Sequence, residues 1–560
     1  MAVIELSDFQ EKRLLRQMDS ERKQSRSSRP KKKVQVVMCL LLVELCERFA
    51  FFGIVCNTIL FCTVKLGYQN HQAAALNLCF VGASTMTPVL VGWFAESCMG
   101  RIKVVYICAF LHFLGTAMLP VVAFPFEDFY LDAHHVAHTL AEREQNILFY
   151  IALMAASLGT GGIRAIICPL GAYNLQGYGQ KELLSFFNWF HWLVSLGSFI
   201  VFVGIAYVQQ SVAKNLGFLI PVVSVVMALI TIHMVRNELI YQPKKGGSLL
   251  TTFGVFSNAL RMCSVRYRHL SGRVTSWLDR AKEHNGGLYS EAHVESARSL
   301  LGLLPFFTLQ LLCRICIAQV PSGYYIQTMN SNLNLEGFLL PIAAMNAIGL
   351  LPLLLLAPLL ECINTRLESN GRGGLSPAAS ILAGHVCALL SVLLAGCFEI
   401  RRKSFSLVEQ TLSGKALLVS SMPCLHLAPQ YALLGLAEAL VAPACSVLTF
   451  RSGPSRIRGI AMHFLTLFNG AGCLVGALLV QAAHLISGGV WVPGVLAEGH
   501  LERLFFFLAS LMVVNTLGFW KVSHRYNNPD PEAEPGFTGN LLQEKLLQPE
   551  NALRFYESVL

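Results

Sequence analysis

Charge is scarce in this chain. Asp, Glu, Lys and Arg make up 14% of 560 residues, against 54% hydrophobic residues. With a mean hydropathy of +0.53, that balance excludes a soluble globular protein and points to a polytopic helical membrane protein. The sequence also lacks any Gly-x-x-x-x-Gly-Lys-Ser/Thr loop, and no polar segment is large enough for a nucleotide-binding domain. If the chain moves a solute, the gradient of another solute must drive it. There is no Asn-x-Ser/Thr sequon to mark topology. No metal-ligand cluster or nucleophile–base arrangement stands out, which argues against an enzyme, a metal centre or any cofactor. The net charge of +10 does not signal nucleic-acid binding, because the basic residues gather in particular loops. Most of the seventeen cysteines fall inside apolar segments, where they act as small hydrophobes rather than a disulfide framework.

Twelve apolar stretches are long enough to span a bilayer: about 34–64, 73–95, 102–124, 146–173, 185–209, 217–236, 299–328, 337–361, 378–398, 426–450, 458–486 and 503–523. They predict an all-α membrane protein with twelve transmembrane helices in two six-helix halves. Residues 1–33 form a basic tail with ten Lys/Arg, which predicts no cleaved signal peptide. Residues 34–236 form the first bundle, 237–298 a linker, 299–523 the second bundle and 524–560 a second tail. Of the 43 Lys and Arg, 32 fall on the side of the amino terminus and 8 on the other. That bias places both termini and the linker in the cytoplasm. The tract Arg401-Arg402-Lys403 is the one basic cluster on the wrong side.

The first span carries Glu44, Glu47 and Arg48. Each charge costs roughly 2.5–3.5 kcal/mol at the centre of an isolated membrane helix. Their spacing puts all three on one helical face, where Glu44 and Arg48 can pair. Such a face must look into a bundle or a wet cavity. Interhelical glue is one reading. Two carboxylates beside one arginine leave an excess negative charge, however, and burial beside a like charge raises a carboxylate's proton affinity. Proton binding is the stronger reading.

Elsewhere the polar residues are few enough to follow singly. Gly92-Trp-Phe-Ala-Glu96-Ser-Cys-Met-Gly100-Arg101 resembles the short loop motif of the major facilitator superfamily, in which an acid and an arginine latch helix ends. Gly159-Thr-Gly161-Gly162-Ile-Arg164 offers glycines for close helix approach and a membrane-depth cation that needs Glu44 or Glu47 as partner. Asn188, His191 and Ser195 make a polar stripe in the fifth span, and His191 is either structural or titrating. The seventh span carries Arg314 and Gln319, and the tenth carries Glu438, a lone membrane carboxylate. Gly472 and Gly476 in the eleventh suit close packing. The last residues, Ser558-Val559-Leu560, suit capture by a PDZ domain.

Together, Glu44-Leu-Cys-Glu47-Arg48-Phe, Gly-Thr-Gly-Gly-Ile-Arg164, the aromatic fifth span and Pro429-Gln-Tyr…Gly435-Leu-Ala-Glu438 resemble the proton-coupled oligopeptide transporters, solute carrier family 15. The resemblance implies a major facilitator superfamily fold, alternating access and proton-driven uptake of small peptides. It implies proton coupling at Glu44, Glu47, Arg48 and Arg164, and capture of a substrate amino group by Glu438. The solute-binding set is then Arg164, Asn188, His191, Ser195, Arg314, Gln319 and Glu438. The chain departs from the family pattern at Phe51 and Phe52 (Tyr in the family), Val55 (Arg), Leu78 (His), His191 (Tyr), Ser195 (Asn), Arg314 (Trp) and Ala318 (Asp). The expected partners are protons, a small zwitterionic solute and the lipid bilayer of the plasma or endolysosomal membrane. The competing reading is a transport-deficient receptor or scaffold signalling through its cytoplasmic segments.

Overall fold

The computed structural model describes residues 35–123, 142–174, 194–212, 217–236, 248–263, 276–355, 376–452, 458–493 and 499–527, without the side chains at 96–97, 123, 142, 168–174, 248–250, 450–459 and 524–527. Residues 1–33, Asn188, His191 and Ser558–Leu560 lie outside this set. Helices α1 (35–64), α2 (Asn70–Phe94), α3 (Arg101–Ala123), α4 (Glu142–Asn174), α5 (Val194–Val212) and α6 (Leu219–Val235) precede the linker. The linker contains α7 (Ser248–Met262). After it come α8 (Glu291–Met329), α9 (Ala344–Leu355), α10 (Pro377–Lys403), α11 (Ala428–Ser452), α12 (Arg458–Ile486) and α13 (Leu501–Asn527). Each of the twelve expected spans overlaps one of these helices.

Among the described residues, nine helices are long and apolar enough to cross a membrane, while α6 and α9 are shorter. Helix α1 carries three charges along its apolar length. Helices are required here because lipid offers no partner for backbone N–H and C=O groups. The glycines of α4 act as expected. A Cβ at Gly159 would strike the His112 backbone, one at Gly161 would strike Thr87, and one at Gly162 the Cys108 thiol. Helix α4 therefore lies directly against α2 and α3. Helix α8 is interrupted after Gly302 and again by a π-turn over Val320–Tyr324, where Pro321 contributes no N–H.

The helical architecture carries one small addition, at the face opposite the start of α1, the far face. Strands β1 (Ser331–Asn332), β2 (Asn334–Leu335), β3 (Phe338–Leu339), β4 (Leu407–Leu412) and β5 (Lys415–Pro423) lie there. Strands β4 and β5 form a hairpin around Ser413 and Gly414, both at positive φ (47° and 86°), as a two-residue hairpin turn demands. Strand β1 joins β5 in parallel.

This sheet also accounts for the basic tract Arg401-Arg402-Lys403. Arg402, 2% exposed, grips the fully buried Glu399 with two bonds of 2.7 and 3.0 Å and donates to the Asn330 carbonyl. Its own carbonyl accepts from Ser420 of β5. Lys403 pairs with Glu502 at 2.6 Å. Two of the three cations are thus neutralised internally, and only Arg401 is exposed. The charge-counting rule treated as free two charges that are spent on packing.

Helices from before and after the linker meet along the far face. Asn70 donates to the Pro493 carbonyl at 3.0 Å, and the His71 and His484 rings stack with centroids 3.5 Å apart. Gln210 gives its amide to the Leu340 carbonyl and accepts from the Ile342 N–H, at 3.1 and 3.0 Å. Deeper in, Asn77 donates to the Pro321 carbonyl and Tyr325 to the Cys56 carbonyl, both at 2.8 Å. In the linker, Phe253 of α7 stacks on Phe464 of α12, so the expected loop docks against a span. There Lys282 bonds Glu291 at 2.8 Å and Asp279 at 3.1 Å. Those carboxylates raise its pKa above the ordinary lysine value.

Candidate functional site

Helix α1 turns Glu44, Glu47 and Arg48 toward α4, and all three are buried. Arg48 Nε donates to Glu44 Oε1 at 2.8 Å, and its Nη2 lies 2.8 Å from Glu47 Oε2. The other Glu47 oxygen lies 3.4 Å from Arg164 Nε. Two carboxylates and two guanidinium groups thus form one chain, Glu44–Arg48–Glu47–Arg164, with no formal net charge. The partner required for Arg164 is Glu47. Burial of this kind costs several kcal/mol per ion and is tolerated only when every charge has a partner. Protonation of either carboxylate would leave the cluster with an excess positive charge.

Sequence reasoning gave no role here to two side chains. Arg164 lies over the Phe51 ring, its guanidinium carbon 4.0 Å from the centroid, a contact worth about 2 kcal/mol when desolvated. Phe51 in turn stacks on Phe80 and meets Phe52 edge to face. The signal was available, since Phe51 follows Glu47 and Arg48 by four and three residues and so shares their face. His112 of α3 is fully buried and lies within electrostatic reach of Arg164 and Arg48. Its position follows from the Gly159 approach, which no local pattern announces.

A second charged group forms between α8 and α11. Arg314 Nη1 lies 3.0 Å from Glu438 Oε1, with side chains 25% and 47% exposed. Close packing of α12 makes room for it, because a Cβ at Gly472 would stand 2.8 Å from Arg314 Cβ. One turn before Glu438, Gly435 lies so close to Gly349 of α9 that a Cβ would strike the Gly349 carbonyl. Gly435 thereby fixes the depth of Glu438.

The remaining candidates are less concentrated. Gln319 is 1% exposed and donates to the Ile315 carbonyl of its own helix at 3.2 Å, which makes it a helix-stabilising group in this conformation. Ser195 is buried in α5. Arg101 starts α3, and Glu96 lies in a π-turn over Ala95–Met99, its side chain outside the described set.

A buried, compensated charge chain and a second, partly exposed ion pair thus stand inside a multi-pass helical membrane protein, and the family to which the chain belongs makes it a transporter rather than an enzyme. Residues 102–489 match the PTR2 family, described as the POT family, and the chain belongs to that family. It is 58% identical to human solute carrier family 15 member 5 over 533 residues, covering 95% of this chain and 92% of that one. It is 25% identical to protein NRT1/PTR family 5.4 of Arabidopsis thaliana, over 87% of this chain and 93% of that one. Among solved structures it is similar to an auto-inhibited POT family peptide transporter (TM-score 0.69, 18% identity, 90% of this chain and 99% of that one). It is also similar to a POT family transporter in complex with 5-aminolevulinic acid (TM-score 0.64, 16% identity, 88% and 97%).

Proposed function

We propose that the protein is a proton-coupled symporter of small peptides or amino-acid-like zwitterions, working by alternating access between the bundles 34–236 and 299–523. The observation that carries this is the Glu44–Arg48–Glu47–Arg164 chain. Its charges cancel when both carboxylates are ionised, so taking up a proton releases a guanidinium. A guanidinium freed in this way is a binding group for a substrate carboxylate. Proton and solute then favour one another's binding, as symport requires.

In this reading Arg164 takes the carboxylate and Glu438 the amino group. Arg314 holds one Glu438 oxygen, and nearly half of the Glu438 side chain stays open to solute. Asn188, His191, Ser195 and Gln319 belong to the proposed solute pocket, and Glu96 with Arg101 to a latch at the cytoplasmic end. Both termini face the cytoplasm, and Ser558-Val559-Leu560 is offered to a PDZ partner. The membrane is the plasma or an endolysosomal membrane. The family resemblance and the NRT1/PTR and POT relatives support transport of a small solute.

The test is uptake by purified full-length protein in proteoliposomes, acidic outside, across di- and tripeptides and free zwitterionic amino acids. The expected result is accumulation that collapses with the pH gradient, and rejection of N-acetylated analogues. Gradient-independent equilibration of every transported compound would overturn proton coupling. Equal uptake of free and N-acetylated forms would overturn the Glu438 assignment.

A further inference from the structure

A crevice of about 680 Å³ lies between α2, α4 and α12, away from both charged groups and just beside the His71–His484 stack. All three walls belong to membrane-spanning helices. Cys79 and Leu478 of its lining are exposed on those helices, so the crevice opens where lipid covers a membrane helix, and its volume is that of a small-molecule site.

Its chemistry is graded with depth. Tyr68, Gln72, Asn146, Tyr150 and Gln481 line the end at the far face. Leu76, Cys79, Leu474 and Leu478 line the deeper end. The walls from Gln72 to Cys79 and from Gln481 to Leu474 each descend about 10 Å. With Tyr68 above them they remain within one leaflet's half of the roughly 30 Å hydrocarbon core. A polar rim above an apolar shaft, one leaflet deep, fits an amphiphile standing upright in the bilayer.

The rim also defines the head group. Among the described residues none that lines the crevice is charged, so they offer a phosphate no cation. What the rim holds is an array of neutral groups. Tyr68 donates to Asn146 Oδ1 at 2.9 Å, and the Tyr68 and Tyr150 hydroxyl oxygens are 2.9 Å apart. Gln72 uses its carbonyl oxygen to cap the Gln69 N–H, which turns its amide nitrogen, a double donor, toward other partners. A single hydroxyl can donate to a tyrosine oxygen and accept from an amide. Leu478, 68% exposed in the absence of a covering group, supplies the apolar wall such a molecule would lie against.

We propose that this crevice binds a neutral, hydroxyl-bearing lipid with a rigid apolar body, a sterol, in the far-face leaflet. Because α2 precedes the linker and α12 follows it, the bound sterol touches both groups of helices and holds their far ends together. It is a structural ligand, separate from the transported solute.

The experiment uses the full chain in nanodiscs containing either a photoreactive sterol or a photoreactive phosphatidylcholine, with labelled peptides mapped by mass spectrometry. Sterol labelling is expected to concentrate within residues 68–79 and 474–481 and to be displaced by excess cholesterol. Leu478→Trp, which fills the mouth from an exposed position, should lower that labelling at least fivefold, and Cys79→Phe should do so from the opposite wall. Tyr68→Phe with Tyr150→Phe, which keeps the shape, should lower it several-fold. Cholesterol should raise the thermal denaturation midpoint of the parent and leave that of Leu478→Trp unchanged. Labelling spread evenly over the lipid-facing surface, or untouched by both filling variants, would overturn the site. Equal labelling of these residues by the phosphatidylcholine probe would overturn its assignment to a sterol.

Discussion

The two charged groups of this protein are built from the same residue types and behave differently. In the Glu44–Arg48–Glu47–Arg164 chain every side chain is at most 12% exposed, and each charge depends on its neighbours. In the Arg314–Glu438 pair the side chains are 25% and 47% exposed, so protein encloses these charges only in part. A buried charge left alone costs several kcal/mol, whereas an exposed pair contributes about 0–1 kcal/mol. The first arrangement suits a group whose protonation must be felt by its partners. The second suits a group that must exchange one partner for another at small cost.

Replacing Glu47 should separate the two most clearly. Glu47→Ala strands Arg48 and Arg164 together and should destabilise the protein by about 3–5 kcal/mol, read as a large fall in the thermal midpoint in detergent. Glu47→Gln keeps the shape but cannot change charge, and should abolish gradient-driven accumulation while sparing counterflow exchange. Normal pH-dependent accumulation in that variant would remove Glu47 from proton coupling. Phe51→Leu comes next, with loss of the face beneath Arg164 worth about 2 kcal/mol, while Phe51→Tyr should leave stability unchanged. Glu438→Ala should alter stability by less than about 1 kcal/mol, yet it should erase the preference for free over N-acetylated solute in uptake assays. The smallest effect belongs to Arg164→Lys, which keeps a cation over the Phe51 ring. Accumulation within about twofold of the parent is expected.

What the sequence announced and what it hid follow the same physical division. Contacts within one helix are periodic, so the charged face of α1 was legible from spacings of three and four. The need of Arg164 for a first-span carboxylate followed from the cost of a lone buried charge. The Arg314–Glu438 pair joins residues 124 apart on different spans, and no local pattern encodes that. The far-face sheet was legible in hindsight: Ser413-Gly414 is a hairpin turn, and Leu407–Leu412 and Lys415–Pro423 are strand-like runs at a membrane edge. The long apolar runs on either side mask them in the composition. Likewise Glu399, three residues before Arg402, was the visible hint that the basic tract is partly internal.

The far-face seal has a consequence for how the protein opens. Its links between helices before and after the linker are amides, backbone carbonyls, a tyrosine hydroxyl and stacked imidazoles. Among the described residues no ion pair crosses it. Neutral contacts of this kind contribute about 1 kcal/mol each and are little affected by Debye screening. Parting the far face is therefore a sequence of small, separable steps whose free energy should not respond to ionic strength. Distance distributions between spin labels on α2 and α12, recorded in low and high salt, should superimpose.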